Sequence, residues 1–127
     1  MPSQHLSTGQ LGENIACHYL QKKGYRILTR NYTNTSGVRL GEIDIIALYK
    51  GKIVFVEVKT RIKKGIDALP PEANINRDKL RKLLRIGNVY LGETRQKDKP
   101  YSFDAISVLI DQLSGKALVK HLPDIFL

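Results

Sequence analysis

Two short runs, residues 43–48 and 53–59, constrain this 127-residue chain more than any other stretch of it. Ile43, Ile45, Ile46, Val54, Phe55, Val56 and Val58 are apolar at even and odd positions alike, so strands made from them are covered on both faces. Lys50-Gly51 lies between the runs and reads as a hairpin turn. A hairpin buried on both sides belongs inside a sheet with helices packed above and below.

The flanking sequence supplies those layers. Ser7 and Gln10 fit a capping box, with Leu11, Ile15, Ala16, Tyr19 and Leu20 at helical spacing and Lys22-Lys23-Gly24 as the stop. Residues 25–31 read as a strand and 34–37 as a loop. Pro70-Pro71 interrupts the chain before a second helix that begins near Asn76 or Arg77, with Leu80, Leu83, Leu84, Gly87 and Leu91 on one face. Residues 102–110 and 118–122 read as strands around the turn 111–116. The expected order is α-β-β-β-α-β-β: one α/β domain over residues 1–127, a mixed β-sheet flanked by helices, with 63–76 as its flexible stretch.

Composition narrows the chemistry. The lone Cys17 excludes an intramolecular disulfide and an all-cysteine metal cage, and suits a reducing compartment. The apolar runs are far too short to span a bilayer, and Met1-Pro2-Ser3-Gln4-His5 has no secretory pattern, so a cytoplasmic protein without a membrane partner is expected. Lys and Arg number 21 against 12 Asp and Glu, a net +9, which points to a polyanionic partner. The middle segment, 59–99, holds twelve bases and five acids. Residues 1–58 hold only four acids: Glu13, Glu42, Asp44 and Glu57.

The hairpin register makes those four conspicuous. With a two- or four-residue loop, opposed residues sum to 101, so Asp44 faces Glu57 and Glu42 faces Lys59. Two carboxylates about 5 Å apart at an effective dielectric of about 20 repel by roughly 3 kcal/mol. A favourable cross-strand pair returns about 1 kcal/mol at most. A shared proton, Lys59 or a divalent cation must compensate. Mg²⁺ or Mn²⁺ suits such oxygen donors, with Asp44, Glu57 and the Val58 carbonyl as a half-shell. Lys59 could stabilise charge on a scissile phosphate or hold an attacking hydroxide, a combination that describes metal-assisted phosphodiester hydrolysis. The competing reading is a solvated strand face with a Glu57–Lys59 or Glu42–Lys59 ion pair. Burial of the strands on both faces weighs against it. Glu13, at the edge of the first helix's apolar face, either points at the acidic site or favours the helix dipole from the first turn.

Gly12-Glu13, Gly41-Glu42-Ile43-Asp44 and Val56-Glu57-Val58-Lys59 together resemble the D…(D/E)-x-K nuclease core. More closely, the chain is similar to the YraN-like family, small relatives of archaeal Holliday-junction resolvases and restriction endonucleases. The similarity runs from Gly9 through Gly24-Tyr25, Arg30-Asn31-Tyr32, Lys59-Thr60-Arg61 and Phe103-Asp104 to residues 121–126. It implies a restriction-endonuclease-like three-layer core, Asp44 and Glu57 as metal ligands, Lys59 as catalytic lysine and Glu13 as auxiliary acid. Ser102 departs from the arginine that many relatives carry before Phe-Asp.

A DNA partner would meet the basic segment: Arg77, Arg81 and Arg85 at i, i+4 spacing on helix two, with Arg61, Lys63 and Lys64 before it. No base-reading motif is visible, so recognition should follow backbone shape. One small domain offers one site, and cutting both strands would need a homodimer or two events. Cys17-His18 cannot face each other on a helix, His5 and His121 have no partner at ligand spacing, and Tyr19, Tyr25 and Tyr32 read as core or rim aromatics.

Overall fold

The elements follow the expected order: α1 (Thr8–Lys22), β1 (Arg26–Tyr32), β2 (Ile43–Tyr49), β3 (Lys52–Lys63), α2 (Arg77–Glu93), β4 (Tyr101–Asp111) and β5 (Ala117–Leu122). This is a computed structural model, and it describes residues 6–35, 37–63 and 77–125. His5, Lys64 and Pro70-Pro71 lie outside the described residues.

Ser7 caps α1 through the expected reciprocal bonds with Gln10. Gly24, at φ 96°, closes the helix, and the Tyr25 N–H still bonds the Leu20 carbonyl, so β1 starts one residue later than the periodicity suggests. The five strands lie in chain order in one mixed sheet: β3 and β4 run parallel, the other neighbours antiparallel. Only the parallel pair needs a crossover, which carries α2.

Each face of the sheet builds its own core. Ala16, Cys17 and Leu20 of α1 pack with Ile45, Val54, Val56, Ile106 and Val108. Leu83, Ile86, Tyr90 and Leu91 of α2 pack with Ile43, Ile46, Phe55 and Phe103 on the other side. The result is an α/β/α three-layer core, as both-face burial of the hairpin requires.

Two local irregularities shape the sheet around its carboxylates. Lys50 and Gly51 both have positive φ (50° and 79°), the geometry of a two-residue hairpin turn, and the register sums to 101 from Tyr49↔Lys52 to Ile45↔Val56. There the β2–β3 ladder ends, while β3 continues against β4 as far as Lys63↔Asp111. The two strands therefore separate just before the Asp44–Glu57 position. The second irregularity is a register shift in β1 between Ile27 and Thr29. Beyond it, Arg30 pairs with Ile45 and Tyr32 with Ile43, so Asn31 takes the position opposite Asp44.

α1 reaches the gap by close packing at Gly12. A Cβ there would lie 1.7 Å from Thr60 Oγ1 and 2.7 Å from Thr60 Cβ. Thr60 is short and held in β3, so Gly12→Ala must push the helix off the strand. The expected cost is about 1–3 kcal/mol, read as a lower melting temperature, with Glu13 displaced along with the helix.

Candidate metal centre

Where β2 leaves β3, three carboxylates from three places in the chain converge. Glu13 comes from the second turn of α1, Glu42 precedes β2 and Asp44 lies within it; one oxygen of each falls within 4.8 Å of the others. No acid occupies the first turn of α1, so the dipole reading of Glu13 gives way to an inward one. Its side chain is 15% exposed and meets Arg30 at 3.5 Å. Asn31 Nδ2 donates to both Glu13 Oε1 (2.9 Å) and Glu42 Oε1 (2.7 Å). Glu42 also meets Arg39 at 3.7 Å.

Asp44 is the strained member. Its Oδ2 accepts the Val58 N–H at 2.8 Å, which takes the place of the next rung of the ladder. Burial chiefly, then the Glu57 charge, raises its carboxyl from 3.8 to about 7; the Val58 N–H opposes that shift, and Glu13 and Glu42 add to it. Ionisation of Asp44 at neutral pH is thus under-compensated by protein groups alone. Oxygen-only donors around an under-compensated carboxylate fit a hard divalent cation such as Mg²⁺ or Mn²⁺.

The other expected residues distribute differently. The β2–β3 ladder ends one position before Asp44 and Glu57, whose charge still raises the Asp44 carboxyl; Glu57, 10% exposed, bonds Lys79 of α2 at 2.7 Å. That lysine answers the repulsion on the Glu57 side, where the sequence offers Lys59, a shared proton or a cation. Val58 donates its N–H to Asp44 Oδ2, which ties this stretch of β3 to the cluster. Lys59 is exposed and makes no ion pair among the described residues. Glu42 lies beyond the ladder and bonds Asn31, not Lys59.

Strand alternation sets Glu57, Lys59, Arg61 and Lys63 on one face of β3, the face that carries Phe55 and receives α2. Arg77, Arg81 and Arg85 are exposed on that helix, with Arg81 3.8 Å from Asp78. Arg61 Nε is buried and has no hydrogen-bond partner among the described residues. Lys64 lies outside them. Two clefts flank the cluster. One of about 630 Å³ is lined by Glu13, Arg30, Asn31 and Glu42, and one of about 140 Å³ by Glu42, Glu57, Lys79 and Lys82.

Elsewhere, buried Asp104 accepts from Ser102 Oγ (3.2 Å) and the Asp124 N–H (3.1 Å) and pairs with His121 Nε2 at 2.8 Å. Ser102 therefore supplies one of the hydrogen bonds that satisfy the buried acid. His121 does have a partner, 17 residues away and brought close by the β4–β5 hairpin. Tyr25 stacks on Tyr49 with centroids 4.0 Å apart, Tyr19 meets the His121 ring edge-on, and Tyr32 packs edge-on against Tyr90 while bonding Glu93. The tyrosines are packing residues. Cys17 is buried and His18 exposed, on different sides of α1.

The fold and site thus define an open-sheet α/β protein with an acidic cluster at the fork of two strands. The chain belongs to the uncharacterised protein family UPF0102, whose family model matches residues 12–108, a span that holds every carboxylate of the cluster. It is 44% identical over 105 residues to a UPF0102 protein of Caldanaerobacter subterraneus, covering 83% of this chain and 81% of that one. A UPF0102 protein of Syntrophotalea carbinolica is 39% identical over 126 residues, 99% and 96% of the two chains. One from Alkaliphilus oremlandii is 42% identical over 120 residues, 93% and 96%. Among the described residues, no helix is long and apolar enough to cross a membrane.

Proposed function

We propose that the protein is a Mg²⁺- or Mn²⁺-dependent endodeoxyribonuclease that hydrolyses DNA phosphodiester bonds and selects substrates by backbone shape, such as branched, flapped or single-stranded DNA. The observation that carries this reading is the convergence of Glu13, Glu42 and Asp44 at the fork, beside a face lined with Lys59, Arg61 and Lys63. Asp44, with Glu13 and Glu42, would hold the cation, and Glu57 stands ready to join them. The bound ion supplies Lewis acidity towards a phosphoryl oxygen and lowers the pKa of water. Lys59, exposed and two residues beyond Glu57, is the group able to meet charge growing on the phosphate. Arg77, Arg81 and Arg85 would bind flanking phosphates, so affinity should fall steeply with salt. Among the described residues there is one such cluster, so a homodimer is the simplest way to cut both strands. A cytoplasmic location fits a DNA substrate and the unpaired Cys17.

The test is incubation with labelled duplex, flap, single-stranded and four-way-junction DNA, with Mg²⁺ or Mn²⁺ and with chelator. Metal-dependent cutting that disappears in Asp44→Ala and Glu57→Ala supports the reading. Cutting that survives both substitutions overturns it. Salt-sensitive binding without cutting, together with a silent metal titration, would identify a DNA-binding module that keeps the fold and not the chemistry.

A further inference from the structure

Among the described residues, Asn31 is the uncharged side chain that touches two members of the carboxylate cluster and opposes the third. Its amide donates to Glu13 and to Glu42, 18 positions before it and 11 after it. In the β1–β2 register it occupies the position across from Asp44. Two other features show the chain to be shaped around this placement. Asn31 has φ 52°, a left-handed conformation inside a β-strand, where asparagine is among the few residues that sit at modest cost. The register shift just upstream decides which β1 residue meets Asp44. Without it, Arg30 would take that position and Asn31 would pair with Ile43.

From these we infer that Asn31 is a positioning residue: its amide draws the Glu13 and Glu42 carboxylates together and holds them in place for a divalent cation shared with Asp44. A single NH₂ group has two protons, so it can serve two acceptors at once. Arginine or lysine at this position would satisfy the same acceptors, but its positive charge would compete with the cation. A neutral donor holds the acids together and leaves their charge available. Arg30, the one cation that meets Glu13 in an ion pair among the described residues, stands at 3.5 Å and does not bridge to Glu42. The inference rests on the metal-dependent reading of the site for its purpose, though not for the contacts.

Two variants test it. Asn31→Gly keeps the left-handed backbone and loses the amide, so the fold should persist while Mn²⁺ affinity, measured by titration calorimetry, falls about tenfold or more. Asn31→Asp keeps the side-chain shape and replaces the donor with a third charge between Glu13 and Glu42. Its metal-free melting temperature should fall below that of the wild type, and the loss should shrink in a Glu42→Gln background. Wild-type Mn²⁺ affinity in Asn31→Gly would overturn the positioning role while leaving the metal reading intact. A wild type that takes up no Mn²⁺ would remove the metal reading and the role with it. An Asn31→Asp protein as stable as the wild type in both backgrounds would show that the bridge itself carries nothing.

Discussion

Asp44→Asn should make the metal-free protein more stable at pH 8 and at the same time suppress metal-dependent DNA cleavage by roughly 100-fold or more. The two effects have one cause. In the folded chain burial and the Glu57 charge raise the Asp44 carboxyl from 3.8 to about 7. The native state therefore holds this proton more tightly than the unfolded chain does, and stability falls as pH rises from about 4 to about 7, with the full cost present above that. The interval corresponds to a ceiling of about 4 kcal/mol. Asparagine is never charged and its Oδ1 can still accept the Val58 N–H, so a gain of about 1–2 kcal/mol is expected at pH 8 and none at pH 4. For a domain of this size that is a rise of roughly 4–8 °C in melting temperature. Thermal melts at the two pH values, beside cleavage assays at pH 8, check both halves. Equal melting temperatures for wild type and variant at pH 8 would mean that the Asp44 charge is already compensated in the metal-free chain. A cation would then have no uncompensated charge to meet.

Lys79→Ala is expected to have the second large effect. Lys79 is the ion-pair partner of Glu57 at 2.7 Å, and the Glu57 side chain is 10% exposed while the lysine is 39% exposed. Removal of one member of a buried pair costs about 3–5 kcal/mol; with the lysine this open to water, about 1–3 kcal/mol is expected here. If Glu57 also serves the metal centre, Mn²⁺ supplies the missing countercharge and recovers most of the lost stability. The measurement is a melting curve of wild type and Lys79→Ala, each with and without Mn²⁺. A loss that Mn²⁺ leaves unchanged would assign Glu57 to α2 packing alone and favour the DNA-binding module.

The contrast between Glu57 and Asp44 shows where sequence reasoning reached and where it stopped. The hairpin was legible because its turn has only a few allowed lengths, and a two-residue turn at Lys50-Gly51 sets every pair out to Ile45↔Val56. Apolar residues on both parities carried the three layers. The end of the ladder was not legible, because nothing in the local pattern of residues 42–44 or 57–59 marks strands that diverge. The register offers Glu57 only Asp44 and Lys59 as neighbours, whereas its ion-pair partner comes from α2, after a crossover. Asn31 was hidden for a related reason: the register shift between Ile27 and Thr29 has no Gly or Pro to announce it, and a left-handed asparagine looks like any polar residue near a strand end. Glu13 was half visible, since the helical wheel placed it beside Ala16 but could not say how closely Gly12 lets α1 approach Thr60. Asp104 and His121 met only once β4 and β5 were paired.

The bond from the Val58 amide to Asp44 has a practical side. It ties a backbone N–H, which gives one resolved signal in a ¹⁵N spectrum, to the carboxylate whose charge governs the centre. Protonation of that carboxylate, or its capture by an ion, would change what the amide proton sees without any label or substitution near the cluster. The protein thus carries its own spectroscopic gauge of the Asp44 carboxylate, in a rung of the sheet that a side chain supplies.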